Sequence, residues 1–363
     1  MTRILHTADV HLAPDAPDRL AALSAVLGEA DEADADAVTI GGDCFDSAEA
    51  ADALRGEVRS LFADRDYPVV LIPGNHDVDA FGADLFFGEA VTAATAEPFD
   101  HHVVGDARLT TLPYTPKLDD ETLLALADRD PFDGPECLLL HCSLEAPVDA
   151  TAGDEGGVRY CPVTRAELDE LGFDYYLAGH FHSQHHLALP GGGRFVYPGS
   201  PASVTRTEQG PRSAVLVDVD GPGDGHLERR RLDTHHYDDL ALTVAPGEED
   251  AVVDRVGERV EAWADRDVTA EITVDGFVDW DESTFDAALS DAAGDVPCEN
   301  RTRTLAHLRS HPLFEDVRAE LAARDEPQSV SLDGTDEHGD DFLADVESEL
   351  LAAFSRLQAA GEL

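Results

Sequence analysis

The chain has 363 residues, 43% of them hydrophobic, enough for about two domains with buried cores, and its 76 acidic against 25 basic residues give a formal net charge of −51. The acidic residues alternate with apolar ones at helical and strand periods, which excludes a disordered acidic chain. Five cysteines without a CxxC pair exclude a disulfide framework, and the short apolar runs exclude a signal peptide and a membrane span, so we expect a cytoplasmic protein.

Six short apolar runs of strand length follow one another from the N-terminus, and each ends in a polar or glycine-containing loop. Between the early runs, apolar residues recur at helical spacing, as at Leu20, Leu23 and Leu27. This alternation predicts an α/β core with functional residues at the strand ends. The runs span 3–11, 36–46, 67–77, 136–143, 174–182 and 194–200, and a predicted hairpin joins 213–221 to 226–233.

The pattern changes after residue 238, which predicts a first domain at 1–238. A strand at 240–244, an amphipathic helix through Val252, Val256 and Trp263, and a strand at 268–279 predict a small β-α-β capping domain at 239–297. Residues 298–340 are expected to hold a helix that ends near Arg324 and then an acidic linker. Apolar residues spaced three and four apart predict a C-terminal helix within 341–363.

Polar side chains with metal-binding chemistry stand at five of the strand ends. Any one of them alone is explained as well by an ordinary loop residue that binds backbone groups. Together, carboxylates, imidazoles and an amide oxygen are the ligands that a pair of divalent ions prefers, and the lack of clustered thiolates argues against structural zinc. The residues are Asp9, His11, Asp43, Asn75, His76, Asp77, His141, His180 and His182.

The stretch GHFHSQHH at 179–186 holds four histidines. In an extended segment, His180 and His182 at positions i and i+2 point their rings to one face. His185 and His186 fit no such pairing, so we interpret them as local strand or loop residues.

The order of these motifs resembles that of the calcineurin-like metallophosphoesterases. The matching segments are DVH at 9–11, GGD at 41–43, GNHD at 74–77, the single His141 and GHFH at 179–182. The resemblance implies an α/β sandwich of two mixed sheets flanked by helices, with two divalent metal ions as cofactors.

The same resemblance implies a role for each motif residue. One metal would be bound by Asp9, His11, Asp43 and His182, and the other by Asp43, Asn75, His141 and His180, so that Asp43 bridges the two ions. His76 would contact or protonate the leaving oxygen of the phosphate, and Asp77 would hold its ring. Two ions about 3.5–4 Å apart can share a hydroxide that attacks phosphorus. Mn(II) is the expected ion because mixed oxygen and nitrogen ligation suits it.

The segment that follows the last ligands resembles a branch of this superfamily. "YPGSP" at 197–201 and "EQGPR" at 208–212 are similar to segments of SbcD-type and archaeal double-strand-break-repair nucleases. The resemblance implies a DNA exonuclease with endonuclease capacity, in which Asp46 and Arg206 contact substrate. A general phosphomonoesterase or small-molecule phosphodiesterase of the same superfamily is the alternative, and a non-enzymatic scaffold subunit is a third interpretation. The chain lacks the GDxVDRG string of protein serine/threonine phosphatases.

The charge argues against a basic DNA-binding surface, because Lys117 is the only lysine. A halophile's salt-filled cytoplasm accounts for the charge, since molar salt reduces the Debye length to about 3 Å. DNA would then be held by metal–phosphate contacts, backbone N–H groups and a few arginines, although each arginine alone is explained as well by a surface salt bridge. The candidate arginines are Arg159, Arg194, Arg206 and Arg212.

The resemblance also implies a partner, a coiled-coil ABC ATPase of the SbcC type. The predicted helix Asp341–Gln358 has an apolar stripe suited to such a partner, and packing on the chain's own core explains that stripe equally well. A homodimer stays open, and no membrane contact is expected.

Overall fold

A computed structural model describes residues 2–63, 65–82, 86–145, 160–219, 225–304 and 316. The chain divides into two compact units, Met1–Tyr237 and Asp238–Leu363. Within the described ranges, every helix is too short or too polar to cross a bilayer.

The first unit contains four helices and fifteen strands among its described residues. The helices are α1 (Pro17–Glu32), α2 (Ala48–Phe62), α3 (Asp120–Ala127) and α4 (Arg165–Leu171). The strands are β1 (Thr2–Thr7), β2 (Ala37–Ile40), β3 (Val69–Leu71), β4 (Val91–Ala93), β5 (Asp100–Val104), β6 (Ala107–Thr111), β7 (Glu136–His141), β8 (Ser143–Glu145), β9 (Pro162–Thr164), β10 (Tyr175–Gly179), β11 (His185–Ala188), β12 (Arg194–Tyr197), β13 (Ser213–Val219), β14 (Leu227–Arg231) and β15 (His236–Tyr237).

Two six-stranded mixed sheets form the body of this unit. The first has the order β14-β13-β1-β2-β3-β4, in which β1 to β4 are parallel and β13 runs antiparallel to β1. The second has the order β11-β12-β10-β7-β6-β5, with four central parallel strands and an antiparallel strand at each edge. The predicted fold class, two mixed sheets flanked by helices, is confirmed.

Alternate residues of the central strands belong to different cores, because a parallel sheet between layers is buried on both faces. Ile4 and Leu139 lie in the core between the sheets. Their neighbours Leu5 and Leu138 instead face the outer cores, where Leu5 packs with the α1 and α2 side chains and Leu138 packs with those of α3 and α4. This packing fixes the register of every central strand and therefore the place where each one ends.

The second unit is a small sheet with two helices. Its elements are β16 (Leu240–Val244), α5 (Glu249–Trp263), β17 (Val268–Thr269), β18 (Ile272–Val278), α6 (Glu282–Ala293), β19 (Cys298–Asn300) and β20 (Arg303–Thr304). Parallel pairing of β16 with β18 and of β18 with β19 gives a β-α-β-α-β unit, one helix and one strand longer than the sequence pattern indicated.

The sequence pattern predicted a helix beyond Pro297 and no strand there, whereas 298–300 and 303–304 pair with β18 as strands. Cys298 also packs against the apolar core of the second unit, which an extended segment allows. The remainder of the predicted helical and linker region, apart from residue 316, and the predicted C-terminal helix within 341–363 lie outside the described residues.

The two sheets of the first unit approach each other closely at the carboxyl ends of β2 and β10. A Cβ atom on Gly179 would lie 2.2 Å from the carbonyl oxygen of Gly41, so this contact requires glycine. Nearby, His6 spans the same gap, with Nδ1 3.0 Å from Thr39 Oγ1 and Nε2 3.1 Å from the Ala178 oxygen. Burial lowers the pKa of His6 to about 4, so its ring is a neutral bridge between the sheets.

We expect Gly179→Ala to destabilise the protein by about 1–3 kcal/mol or more, since backbone atoms of both sheets would have to move apart. Gly28→Ala is the matched control, because nothing lies within 4 Å of a Cβ at this position in α1. That control should be neutral or stabilising by up to about 1 kcal/mol. Denaturant unfolding followed by circular dichroism measures both, and equal midpoints for the two variants would contradict the close contact.

Candidate metal centre

The nine predicted site residues converge at the carboxyl ends of five strands. Those from the first sheet follow β1, β2 and β3, and those from the second end β7 or follow β10. The loops after β1 and β2 run side by side, with the Asp9 N–H donating to the Gly42 oxygen at 3.1 Å and the His11 N–H to the Asp43 oxygen at 3.0 Å. Main-chain bonds between loops therefore continue the sheet's order up to the site itself.

One group of candidate ligands consists of Asp9, His11 and His182, whose donor atoms all lie within 4.8 Å of one another. The Nε2 atoms of the two histidines are 3.2 Å apart. Carboxylates stand on the far side of both rings: Glu208 Oε1 is 2.9 Å from His182 Nδ1, and Asp46 Oδ1 is 3.4 Å from His11 Nδ1. Because each carboxylate favours a proton on Nδ1, the two Nε2 atoms turn lone pairs toward each other, an arrangement that a shared cation satisfies.

A second group consists of Asp9, Asp43 and His141. His141 Nδ1 is 2.8 Å from the Gly41 carbonyl oxygen, which fixes the proton on that nitrogen. Its Nε2 faces two further oxygens, Asn75 Oδ1 at 2.8 Å and Asp43 Oδ2 at 3.3 Å. A neutral ring cannot donate to them as well, so this nitrogen needs either a second proton or a metal ion.

His76 and His180 complete the cluster. His76 forms a third donor group with His11 and Asp43, and its ring centroid lies 4.8 Å from that of His11. The His180 ring lies 5.4 Å from the His141 ring, and the backbone N–H of His180 donates to both Asp9 carboxylate oxygens at 3.0 Å.

Four of the site residues have backbone conformations that L-residues rarely adopt. The φ angles are +53° at Asp9, +51° at His11, +48° at Asp43 and +113° at His180. Such strain persists only where the surroundings enforce it, and it clusters here at one site. The prediction of an extended segment through His180 and His182 is wrong, because β10 ends at Gly179 and the chain then bends; the bent loop brings both rings to the site.

The buried carboxylates influence one another. Burial raises the pKa of Asp9. For Asp43, burial acts in the same direction, but His141 outweighs it and the pKa is lowered. Burial, followed by the Asp43 charge, raises the pKa of Asp77 to about 7. Burial alone would lower the pKa of His141, yet the Asp43 charge, its hydrogen bond and Asp9 raise it to about 9.

Asp77 is bound to the loops of the site. Its carboxylate accepts from the Gly74 N–H at 2.7 Å and from the Phe45 N–H at 3.1 Å. These bonds fix the loop that carries His76, and the holding of the His76 ring itself stays a prediction.

The residues predicted to contact substrate lie in different surroundings. The side chain of Asp46 is 48% exposed and contacts His11, as well as Arg19 at 3.8 Å. Arg206 is exposed, with its guanidinium 5.9 Å from the Tyr237 ring centre.

Among the candidate DNA-binding arginines, Arg212 is a correction. It is 7% exposed and donates to the carbonyl oxygens of His182 and Ser200. Its guanidinium is therefore hydrogen-bonded inside the protein and does not form part of a DNA-binding surface. Arg194 begins β12, and Arg159 lies outside the described residues.

Three residues near the centre had no predicted role. Glu208 is 2% exposed, and its only sequence signal was its place in "EQGPR". Tyr114 and Tyr160 lie edge-on to the rings of His141 and His180, at 6.0 and 5.5 Å between centroids. Nothing in the sequence distinguished these tyrosines, because they enter the site from loops between the motifs.

The donor set fits a pair of divalent ions. Buried oxygen and imidazole atoms face one another with more lone pairs than protons, which costs free energy unless a cation lies between them. Asp9, His11, His182 and Asp43 would hold one ion, and Asp43, Asn75, His141 and His180 the other.

One family model covers about half of the chain, including the predicted metal ligands. A family model described as Calcineurin-like phosphoesterase matches residues 2–184. Among solved structures, a dimetal phosphatase from Danio rerio is 12% identical with a TM-score of 0.44, covering 63% of this chain and 96% of its own. GAP50, described as the anchor in the inner membrane complex of Plasmodium, is 9% identical with a TM-score of 0.39, covering 64% of this chain and 89% of its own. No curated protein matches the sequence.

Asp43→Asn should lower the number of tightly bound divalent ions, because Asp43 belongs to two of the donor groups. Calorimetric titration with Mn(II) in molar KCl, together with metal analysis after gel filtration, measures the stoichiometry. Asp52→Asn on α2 is the matched control, since the Asp52 side chain is 73% exposed. A variant Asp43→Asn that keeps the wild-type ion content would contradict the assignment.

Metal affinity should rise with pH. With its pKa raised to about 9, His141 is protonated at neutral pH in the metal-free protein, and the ion must displace that proton. Below the raised pKa we expect about a tenfold gain per pH unit, the value for one released proton. Titrations in buffers of different ionisation enthalpy count the protons directly, and a pH-independent affinity between pH values of about 6 and 8 would refute the coupling.

Proposed function

This chain belongs to the calcineurin-like phosphoesterase family, and we propose that within it the chain is a metal-dependent DNA phosphodiesterase. It would act as an exonuclease with endonuclease capacity in double-strand break repair, as SbcD-type nucleases do. The observation that carries the proposal is the segment from "YPGSP" to "EQGPR", which resembles that of those nucleases. This segment binds the metal-ligand candidate His182 directly, through Glu208 and Arg212.

A phosphodiester can approach this site despite the acidic surface. With two divalent ions bound, their charge would outweigh that of Asp9 and Asp43, and the centre would be locally cationic in a chain of net charge −51. Surface carboxylates farther away repel DNA weakly at molar ionic strength, where the Debye length is about 3 Å. Affinity for DNA would then come from the centre and from backbone N–H groups more than from basic side chains. A halophilic source is part of this proposal.

Different side chains would have different roles in hydrolysis. Bound divalent ions, most suitably Mn(II), would supply Lewis acidity and a nucleophilic water at neutral pH. His76 stands at the rim of the centre and would donate a proton to the leaving oxygen. Asp43 Oδ1 accepts from the His76 N–H at 2.9 Å, which fixes the main chain of this residue next to the ligands. The strained loops hold the ligands in place before substrate arrives.

Partners belong to the proposal on the strength of the sequence alone. A coiled-coil ABC ATPase of the SbcC type would dock on the predicted helix at 341–358, and a second copy of the chain would form a homodimer. The acidic composition makes such a partner useful, because it would supply the extended DNA contacts that the chain's single lysine cannot.

His76→Ala should reduce cleavage of linear DNA by about 10²–10⁴-fold, the usual contribution of a general acid, while ion content stays at the wild-type level. The assay uses purified protein with Mn(II) in molar KCl. His101→Ala, on the edge strand β5, is the matched control and should cleave normally.

Two outcomes would contradict this proposal. Loss of bound metal in His76→Ala would make His76 a ligand and not an acid. Rapid hydrolysis of a small phosphomonoester by the wild type, with DNA left intact, would favour the general phosphatase alternative and overturn the nuclease assignment.

A further inference from the structure

We propose that Glu208 is a positioning residue of the metal centre and acts through His182. Its carboxylate accepts from His182 Nδ1 at 2.9 Å, on the opposite side of the ring from the Nε2 atom that faces His11. Glu208 lies beyond residue 184, where the match to the family model ends. The segment 200–212 would therefore be an integral part of the centre.

His182 follows the end of β10 and needs support from another part of the chain. Strand β10 ends at Gly179, so the sheet's hydrogen bonds do not hold the loop that carries His182. The main chain of this loop is held instead by the His182 carbonyl oxygen, which accepts from the Ser200 N–H at 3.1 Å and from the Arg212 guanidinium. One segment thus binds both the ring and the backbone of the same ligand.

Glu208 is itself fixed before any metal binds. Its Oε1 accepts from the Thr205 N–H at 2.9 Å and the Thr205 hydroxyl at 3.0 Å. Its Oε2 accepts from the Ser200 hydroxyl at 3.0 Å and the Val204 N–H at 2.9 Å. Arg212 Nη2 adds an opposite charge at 3.7 Å. With its position fixed in this way, the carboxylate has no freedom to turn away from His182.

The His11 ring, at the same metal position, has a weaker carboxylate partner in Asp46. Asp46 lies 3.4 Å from His11 Nδ1, and its side chain is 48% exposed, whereas the Glu208 side chain is 0% exposed. A charge–imidazole contact is stronger when water is excluded from it. Glu208 should therefore determine the tautomer and basicity of its histidine more firmly than Asp46 does.

Glu208→Gln removes the charge with little change in shape. An amide NH₂ cannot accept, so in one orientation it would face the His182 ring and the Thr205 N–H, and in the other it would face the Val204 N–H. Neither orientation keeps the bond pattern. Loss of such a carboxylate typically weakens metal binding by about 10- to 100-fold. We expect that loss for one of the Mn(II) sites, with the other site less affected.

Calorimetric titration with Mn(II) alone, in molar KCl and without DNA, measures the Mn(II) affinity of Glu208→Gln. Because no DNA is present, the outcome tests the role of Glu208 independently of the nuclease proposal. Glu249→Gln is the matched control, because Glu249 is 1% exposed in the second unit and accepts from the Asp279 N–H at 2.6 Å. The control should bind Mn(II) like the wild type. Wild-type affinity in Glu208→Gln at both sites would overturn the proposal.

A double-mutant cycle separates positioning from general structural support. In a His182→Ala background, Glu208→Gln should cause less than a twofold further loss of Mn(II) affinity, because its effect passes through the ring. An equal loss in both backgrounds would overturn the proposal. Should Glu208→Gln fail to fold, nitrogen chemical shifts of His182 in the wild type decide: a proton on Nδ1 supports the proposal, and one on Nε2 alone refutes it.

Discussion

The contact between the carboxyl ends of β2 and β10 is the constraint on which the centre depends. Gly41 and Gly179 bring backbone from two different sheets within a distance that leaves no room for a side chain. Ligands from the first sheet and ligands from the second can share ions only because of this approach. The core between the sheets and the neutral His6 bridge hold the two sheets at that separation. The arrangement of the ligands therefore depends on Gly41 and Gly179, two residues that take no part in the reaction.

Burial of two neighbouring carboxylates favours positive charge between them. Asp9 and Asp43 are 0% and 1% exposed, and each has the other carboxylate close by. Their charges are balanced in part by His141, since the Asp43 charge, its hydrogen bond and Asp9 raise the pKa of His141 to about 9. A proton on His141 supplies some of this charge, and divalent ions would supply more of it. The same electrostatics would favour divalent ions at this site and, once ions are bound, a phosphate group.

Much of this architecture could be predicted from the sequence. Strand-length runs ending in DVH, GGD and GNHD predicted where the first sheet places its ligands, because parallel strands end at a common edge. The geometry of His180 and His182 was misjudged, since a left-handed backbone at a non-glycine residue has no signature in residue spacing. Glu208 was missed for a different reason: its role depends on a fold-back of the chain that brings position 208 to position 182. The strand after Pro297 was missed because a short pairing with β18 outweighs local helical preference.

Most of the candidate ligands are almost completely enclosed, with His141 2% and His180 3% exposed, whereas Asn75 is half-buried. Enclosure separates the requirements of the metal ligands from those of the solvent-exposed surface, which often conflict in enzymes. Substitutions on most of the outer surface can change the net charge without touching a donor atom, whereas Asp46, 48% exposed beside His11, is an exception. Few acidic side chains in the described part of the chain are buried, so surface substitutions can alter the net charge while the same centre is inherited.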